Sequence, residues 1–446
     1  MKYLHFTVFV MLLVCITGQL DAQERYRFQS FFGGTGSDGL LFDNFTKTLV
    51  ETDEGDFLCL GSTRSFGNQR FELMLSNIDD KGNLKWSKTY GGDSAEVAFG
   101  LSKVTGGYLL CGRTQSFKNG VNGYLLKVDS NGNEVWSNIY EANGSTVAVN
   151  ARQTSDSGYL VIGITGSSNG AVSNLHVMKL NKNRTIEWER VIGNNNEDFL
   201  GWDFLEVSDG YIITGQIGAI GTNSDGQVMK IANDGTVQWI KDHFFPELMA
   251  YKNVEIHGNH LYLFGLAEGQ ESNALVTKAD MQGNVVWSKG YTSFGANRAV
   301  AGSIDNRGQI TIYGTTEEAA RELSFLMVET DAQGQIQFSK AYGGFDDQEA
   351  AMGLATRDGG HALYGQSDGG SIGNNDFLLV NTDSAGNSGC RENDARITLN
   401  NMSITASNFS QNAFMTNSNF SNPSMPGSST AAQDGKACMT CDTPRA

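Results

Sequence analysis

A repeat of about 51 residues runs through most of the chain and constrains its fold more than any other feature. A large aromatic residue recurs at intervals of 48 to 58 residues, and a glycine that ends an apolar segment keeps the same period. Two independent markers with one period indicate units that pack on their neighbours. The aromatic residues are Phe28, Trp86, Trp136, Trp188, Trp239, Trp287 and Phe338, and the glycines are Gly61, Gly112, Gly163, Gly215, Gly265, Gly314 and Gly365.

Each repeat contains four predicted strands, called a, b, c and d below. In the second repeat they cover residues 98–104, 108–112, 124–128 and 134–140. Strands b and c have apolar side chains at consecutive positions, which predicts burial on both faces. A radial stack of small sheets, each packed between two others, provides that burial.

The turn between strands c and d has a constant chemistry. In the second repeat, Asp129 opens the turn and Gly132 ends it. An aspartate can accept hydrogen bonds from backbone amides two residues on, and glycine takes a left-handed conformation without steric cost. The third repeat has Asn181 and Arg184 at these positions, and the fourth has Ala232. We expect these two turns to be less tightly specified.

The two ends of the array predict how it closes. Residues 25–34 match strand d and the loop after it, but no strands a to c precede them. At the other end, Phe377 to Val380 form a strand c, and Cys390 lies where an aromatic strand d should follow. We therefore predict an all-β fold, a seven-bladed β-propeller of four-stranded antiparallel blades over residues 25–390. The N-terminal strand d would complete the last blade and leave no open sheet edge.

The order of a small apolar strand, an aspartate, a turn glycine and a tryptophan resembles the tryptophan-docking repeat of quinoprotein-like propellers and of many exported bacterial repeat propellers. The resemblance covers about residues 25 to 390. Quinone-dependent members often carry an adjacent cysteine pair, which this chain lacks. The resemblance therefore implies the fold, and we expect no cofactor.

The N-terminus predicts export. Residues 1–22 contain an apolar stretch that is too short to span a bilayer and end at Ala22, which is typical of a signal peptide. Cys15 would fit a lipoprotein signal, but Val14 before it is bulkier than such processing favours. No later stretch is long and apolar enough to be transmembrane. We expect a secreted or cell-surface protein, from a bacterium.

The net charge of the protein limits the classes of molecule that it can bind. The net charge is −17, and the chain lacks the clusters of Lys and Arg that nucleic acid or an anionic membrane requires. The loops that lead from strand d into the next strand a should ring the mouth of the central channel. They carry many carboxylates, with Arg298 as the one opposite charge, so an acidic mouth is predicted as the binding site. These carboxylates are Asp38, Glu96, Glu197, Asp198, Glu247, Asp346, Asp347 and Glu349.

Few residues are candidates for a binding, catalytic or metal-binding role. His243 belongs to the same face as the acidic mouth and is the one histidine selected as a candidate binding residue. The sequence has no nucleophile elbow, phosphate-binding loop or metalloprotease His-Glu pair. We therefore expect neither a catalytic residue nor a metal site.

Five cysteines follow Cys15, so at least one has no intramolecular partner. Cys59 and Cys111 lie in strand b of neighbouring blades and are predicted to be buried free thiols. Cys390 could bond to Cys438 or to Cys441 and fix the tail, while the Cys438-x-x-Cys441 pair could instead be a redox or metal motif. The tail, residues 391–446, is rich in Ser, Asn and Thr. We expect one or two strands within residues 396–405 and a flexible remainder.

The sequence favours a non-enzymatic, exported propeller that binds a protein or glycan through its acidic, loop-rich face, within a cell-surface assembly. The alternative is an enzyme that acts on polysaccharide with paired carboxylates at the channel mouth. A third interpretation is a scaffold that is recognised through its tail.

Overall fold

The computed structural model describes residues 26–40, 47–67, 70–141, 145–166, 172–194, 196–218, 223–293, 295–317, 322–344, 347–369 and 372–409, and the tail strands 413–414, 419–421, 427–429 and 433–441. Every helix or strand in these ranges is a β-strand, so the predicted all-β class is confirmed. No helix of the described residues could span a membrane. The predicted signal peptide, residues 1–22, and Cys15 lie outside the described residues.

An initial strand, β1 (Tyr26–Gly33), precedes the first repeat, in which strand a is described in two pieces. The first repeat contains β2 (Asp38–Gly39), β3 (Leu49–Glu51), β4 (Phe57–Thr63), β5 (Glu72–Ile78) and β6 (Leu84–Tyr90), and the second contains β7 (Glu96–Val104), β8 (Gly107–Thr114), β9 (Asn122–Val128) and β10 (Glu134–Glu141). The third contains β11 (Thr146–Gln153), β12 (Tyr159–Gly166), β13 (Ser173–Leu180) and β14 (Ile186–Ile192). The fourth contains β15 (Phe199–Val207), β16 (Gly210–Gly218), β17 (Ser224–Ala232) and β18 (Val237–Phe244).

The remaining repeats follow the same order, and the last one has three strands. The fifth repeat contains β19 (Leu248–His257), β20 (His260–Glu268), β21 (Ser272–Asp280) and β22 (Val285–Thr292). The sixth contains β23 (Asn297–Ile304), β24 (Ile310–Glu317), β25 (Leu323–Thr330) and β26 (Ile336–Tyr342), and the last contains β27 (Gln348–Ala355), β28 (His361–Ser367) and β29 (Asp376–Thr382). The tail adds β30 (Glu392–Asp394), β31 (Thr398–Asn401), β32 (Thr405–Asn408), β33 (Ala413–Phe414), β34 (Asn419–Ser421), β35 (Gly427–Ser429) and β36 (Gln433–Cys441).

Within each repeat the strands pair antiparallel in chain order, from a to d. One parallel bridge, between Ser224 and Leu248, joins the fourth and fifth repeats into a single larger sheet. Strands b and c are almost entirely buried, as in β4 and β5, where every residue is buried. The two-sided burial that consecutive apolar residues predicted is therefore present.

The initial strand pairs with the last repeat. β1 runs antiparallel to β29, with Phe28 opposite Asn381 and Phe32 opposite Phe377. It therefore occupies the place that strand d has in the other repeats. The rings of Phe32 and Phe377 lie 5.4 Å apart, so the contact is apolar as well as hydrogen-bonded.

The turns between strands c and d form as the sequence predicts. Asp129 Oδ1 accepts hydrogen bonds from the backbone amides of Asn131 (2.9 Å) and Asn133 (2.8 Å), and Gly132 has a left-handed φ of 73°. In the third repeat Asn181 accepts the equivalent pair of bonds, and Arg184 itself adopts a φ of 67°. This turn thus keeps its geometry because an amide oxygen replaces the carboxylate.

The aromatic ring of the preceding repeat packs against the turn glycine. A Cβ atom on Gly132 would lie 2.9 Å from Trp86 Cη2, and one on Gly82 would lie 2.7 Å from Phe28 Cδ2. Contacts of this kind recur at Gly235, Gly283 and Gly386. In the third repeat the Arg184 guanidinium instead covers the Trp136 ring at 5.0 Å. In the repeats that have it, glycine therefore serves two purposes at this position: it allows the left-handed conformation, and its missing side chain leaves room for the aromatic ring.

The tail adds an outer strand to every sheet. Each of its strands pairs antiparallel with the outermost strand of a sheet, and successive tail strands visit the sheets in the reverse of chain order. β30 pairs with β26, β31 with β22, β32 with β18, β33 with β14, β34 with β10, β35 with β6 and β36 with β1. The predicted strands within residues 396–405 are present as β31 and the start of β32.

The cysteines fall into two groups. Cys59 and Cys111 are buried free thiols, as predicted, and burial raises the pKa of both. Cys390 is disulfide-bonded. The side chains of Cys438 and Cys441, its two predicted partners, lie outside the described residues.

Candidate binding face

The connections between strands lie at two opposite ends of the sheets. The a–b and c–d turns form one end, called the turn face, and the d–a and b–c loops form the other, called the loop face. The c–d connections within repeats contain four or five residues, whereas the b–c connections range from three to eight. The a–b connections vary from two to five residues. The widest variation in length is therefore on the loop face, where a rigid scaffold would present binding loops.

Two of the predicted mouth carboxylates are structural. Asp38 is fully buried and accepts hydrogen bonds from Gly34 N (2.5 Å), Thr63 Oγ1 (2.5 Å) and Ser65 Oγ (2.7 Å). These bonds attach the d–a loop to the end of strand b.

Glu96 repeats this arrangement in the next sheet. It is also fully buried and accepts from Gly92 N (3.2 Å), from Thr114 Oγ1 (2.7 Å) and from Ser116 Oγ. Burial raises its pKa. The sixth and seventh repeats have the amides Asn297 and Gln348 at the equivalent position, and both are buried as well. The fourth and fifth repeats have the apolar residues Phe199 and Met249 there. The position is therefore buried in all of these repeats, and its hydrogen bonds are specific to some of them.

His243 is a structural residue, although the sequence selected it as a binding candidate. It is fully buried, its Nδ1 lies 2.8 Å from the Tyr251 hydroxyl, and its Nε2 lies 2.8 Å from the Gly283 carbonyl oxygen. Burial lowers its pKa to about 4. Both ring nitrogens are engaged, so the imidazole cannot reach a ligand in this structure.

A sequence signal for this role exists. His243 lies four residues after its repeat's tryptophan, where Tyr90 and Tyr291 lie in their repeats. Each of those tyrosines donates a hydrogen bond to the carbonyl of the next turn glycine, at 2.6 Å for Gly132 and 2.9 Å for Gly334. The histidine makes the same contact as these tyrosines.

The remaining candidate residues at the mouth are more exposed to solvent than Asp38 and Glu96. Glu197, Glu247 and Asp347 are exposed, whereas Asp198 and Glu349 are half-buried. Asp347 Oδ1 accepts a hydrogen bond from Leu323 N (2.8 Å), and Asp198 Oδ1 accepts one from Ser173 N (2.7 Å). Asp346 lies outside the described residues.

A small cavity lies where strands a of several repeats converge at the loop face. Arg298 crosses it between Glu268 (3.7 Å) and Glu349 (3.5 Å), and Gln366 donates to Glu349 at 3.2 Å. Its volume is about 40 Å³. That volume holds only a few water molecules, whereas small-molecule sites usually measure about 300–1,000 Å³.

A buried charge network below this cavity was not predicted. Asp203 is fully buried and accepts hydrogen bonds from Asn150 Nδ2 (3.0 Å) and Asn253 Nδ2 (2.6 Å). It is also ion-paired with Arg152 and lies 3.6 Å from Lys47 Nζ. Burial alone would raise the pKa of Asp203, but the two cations outweigh it and hold this pKa below its ordinary value. Side chains of the first, third, fourth and fifth repeats thus meet at one carboxylate.

The sequence did contain a signal for this network. Strand a carries a β-bulge at the same place in most repeats, and Asn150, Asp203 and Asn253 are the residues just after it. The other repeats have small or apolar residues there, as with Gly100 and Ala301. Polar residues at one aligned position of three adjacent repeats indicate side chains that meet each other.

Carboxylates of the fourth repeat cluster on the loop face. Asp242 is buried, and burial raises its pKa to about 6, with nearby Asp225 and Glu197 adding to the rise. Burial raises the pKa of Asp225 too, and Glu197 contributes. The Phe244 side chain, which follows on the same strand, is 51% exposed. This part of the face therefore combines negative potential with an exposed aromatic ring.

Both faces carry exposed carboxylates, some paired and some not. On the turn face, Lys103 pairs with Asp53 (2.6 Å) and Lys230 with Asp209 (2.6 Å), while on the loop face Lys118 pairs with Glu141 (3.0 Å). Within the described residues, Glu197, Glu247 and Asp347 of the loop face make no ion pair with a cation of this chain. These three carboxylates therefore remain available to a partner.

No metal centre is evident, since no group of three or more His, Cys, Asp and Glu among the described residues is arranged to hold a metal ion. The chain matches no protein-family model, and no curated protein is significantly similar to it. Its function must therefore be inferred from the chemistry of its two faces.

Proposed function

We propose that the chain is a closed seven-bladed β-propeller of the exported, tryptophan-docking kind. Three observations support closure: β1 pairs with β29, the strands of the last repeat contact β2 and β3 of the first, and Phe28 covers Gly82 of the first repeat. The contact between Lys47 and Asp203 supports it further, because these residues belong to repeats that are not neighbours along the chain. A ring brings such residues together across its centre.

The propeller acts as a non-enzymatic binding protein at the cell surface or outside the cell. It binds a protein or glycan partner through the loop face. The observation that carries this proposal is that exposed carboxylates and the exposed Phe244 ring lie on the face whose loops vary most in length. Such a face attracts a partner that presents Lys or Arg side chains, or hydroxyl groups that can donate to carboxylates.

Catalysis on polysaccharide is the weaker alternative. Glu268 and Glu349 flank Arg298 at the mouth, and the cavity beside them has a volume of about 40 Å³. A sugar ring does not fit a cavity of that size. The volume therefore favours binding over catalysis at the mouth.

Affinity capture from the surface fraction of the source cells tests the proposal. The bait carries E197Q, E247Q and D347N together, because an amide keeps the shape and the hydrogen-bond acceptor while removing the charge. The matched control carries E54Q, E206Q and D234N, which removes the same number of exposed charges from turn-face residues that make no ion pair within the described residues.

The expected result is that the wild type and the turn-face variant recover the same partner. The loop-face variant should lose it, and recovery by the wild type should fall as salt concentration rises. Equal recovery by all three baits would contradict the proposed site. A partner that is covalently altered during incubation would support the enzyme alternative.

A further inference from the structure

The tail is attached to the sheets by side chains as well as by strand pairing. Ile397 and Leu399 pack against the apolar cluster of the fifth and sixth repeats, and Met402 and Ile404 pack against that of the fourth and fifth. The Phe409 ring lies 5.8 Å from the Phe199 ring. The first half of the tail therefore fills gaps between neighbouring sheets.

Both ends of the tail meet at one residue of the initial strand. Gln29 Nε2 donates to Ser388 Oγ (3.2 Å) and to the Arg391 carbonyl oxygen (3.0 Å), which are on either side of Cys390. In the pairing of β1 with β36, the backbone partner of Gln29 is Cys438. The tail thus leaves Gln29, pairs once with the outermost strand of each repeat, and returns to Gln29.

The positions and bonding of the cysteines agree with this course of the tail. Cys390 is disulfide-bonded, while Cys59 and Cys111 are free. The two other cysteines after the predicted signal peptide, Cys438 and Cys441, both lie in the last tail strand. A bond from Cys390 to either of them would join the two ends of the tail.

We propose that the C-terminal segment is a covalent hoop that clasps the initial strand. The disulfide of Cys390 to β36 closes residues 390–441 into a loop around the outer edges of the sheets. It holds β1 in place because β1 lies between β29 and β36. The initial strand cannot leave its sheet without also separating from β36, and the disulfide keeps β36 beside it.

This hoop goes beyond the proposed binding function and does not depend on it. Loss of the hoop would change the stability of the ring, whereas loss of the loop-face carboxylates would change partner capture alone. The two proposals therefore fail in different experiments.

Peptide mapping under non-reducing conditions tests where the bond lies. Trypsin releases residues 358–391, which contain Cys390, and residues 437–445, which contain both candidate partners. The expected result is one disulfide-linked species of these two peptides, which separates on reduction. A Cys438–Cys441 bond within the second peptide, with Cys390 linked elsewhere, would overturn the proposal.

Hydrogen exchange measured by mass spectrometry tests whether the hoop clasps β1. Dithiothreitol supplies two electrons and two protons, which convert the disulfide into two thiols while the reagent becomes a cyclic disulfide. Closing a loop of this length constrains the open state strongly, so the amides of residues 26–33 should exchange roughly tenfold faster, or more, after reduction. Residues 122–128, in the middle of the second sheet, serve as the internal control and should not change.

The C390S variant separates this effect from other actions of the reductant. Without reductant, its β1 amides should exchange as fast as those of the reduced wild type, and added dithiothreitol should have no further effect. Unchanged exchange of β1 in both the reduced wild type and C390S would refute the clasp, even if the disulfide mapped as proposed.

Discussion

Replacement of a docked turn glycine by alanine tests the contact that joins one repeat to the next. Gly132 has a φ of 73°, and a Cβ atom there would lie 2.9 Å from Trp86 Cη2 and 3.0 Å from the Tyr90 hydroxyl oxygen. The left-handed conformation costs alanine about 1–2 kcal/mol, and forced displacement of the indole costs about 1–3 kcal/mol more. G132A should therefore destabilise the protein by about 2–5 kcal/mol.

Gly359 provides the matched control. It is a turn glycine with a φ of 85°, and a Cβ atom there would meet nothing within 4 Å. G359A should therefore lower the free energy of unfolding only by the cost of the left-handed conformation, about 1–2 kcal/mol. Urea unfolding followed by tryptophan fluorescence measures both costs, as the shift in midpoint multiplied by a common slope.

A third variant identifies the group that causes the clash. In a W86L background the indole is absent and only the Tyr90 hydroxyl remains close to the added Cβ, so the added cost of G132A should fall towards that of G359A. This is a double-mutant cycle between the turn and the ring that covers it. Equal costs for G132A and G359A in the wild-type background, or an undiminished cost in the W86L background, would refute the docking argument.

Three further predictions concern buried groups. D203N should destabilise the protein by about 1–3 kcal/mol, measured by urea unfolding, because it removes the buried charge that pairs with the half-buried Arg152 and Lys47 side chains; a cost below about 0.5 kcal/mol would show that the network is dispensable. Burial lowers the pKa of His243 and His361 to about 4, so the unfolded state binds more protons between about pH 6.5 and pH 4. Their stability contribution should be complete above about pH 6.5 and fall with decreasing pH, by about 1.4 kcal/mol per pH unit for each histidine, as measured by unfolding midpoints at a series of pH values. H243Y should remove one histidine's share of this dependence, because tyrosine occupies the equivalent position at Tyr90; an unchanged pH profile in H243Y would contradict the argument from burial.

Much of the fold follows from local patterns. The period of the aromatic residues, the c–d turns and the consecutive apolar residues of strands b and c each act within about one repeat, and the structure contains the strands and turns that they predict. The pairing of β1 with β29 was also predictable, because the last repeat lacks the strand that the first residues supply. These features depend on backbone hydrogen bonding and on alternating burial, which short stretches of sequence encode.

The candidate site was less predictable. Nine residues were selected because they belong to loops at one end of the sheets, but position in a loop does not determine exposure. Asp38 and Glu96 accept hydrogen bonds from strand b, and His243 contacts the turn of the next repeat. Comparing aligned positions would have helped, since His243 replaces a repeated tyrosine and Glu96 aligns with the neutral Gln348.

The sequence by itself determined the all-β class, the length of the repeat, the turn chemistry and the excess of negative charge, because each depends on residue types and on spacings within about 50 residues. The tertiary structure decided which carboxylates are buried, that Asp203 gathers cations and amides from several repeats, and that the tail pairs with the outermost strand of every sheet. Pairing and burial of a charged group depend on residues that lie far apart in the chain. Only the packing of whole sheets against one another brings those residues within a few ångströms.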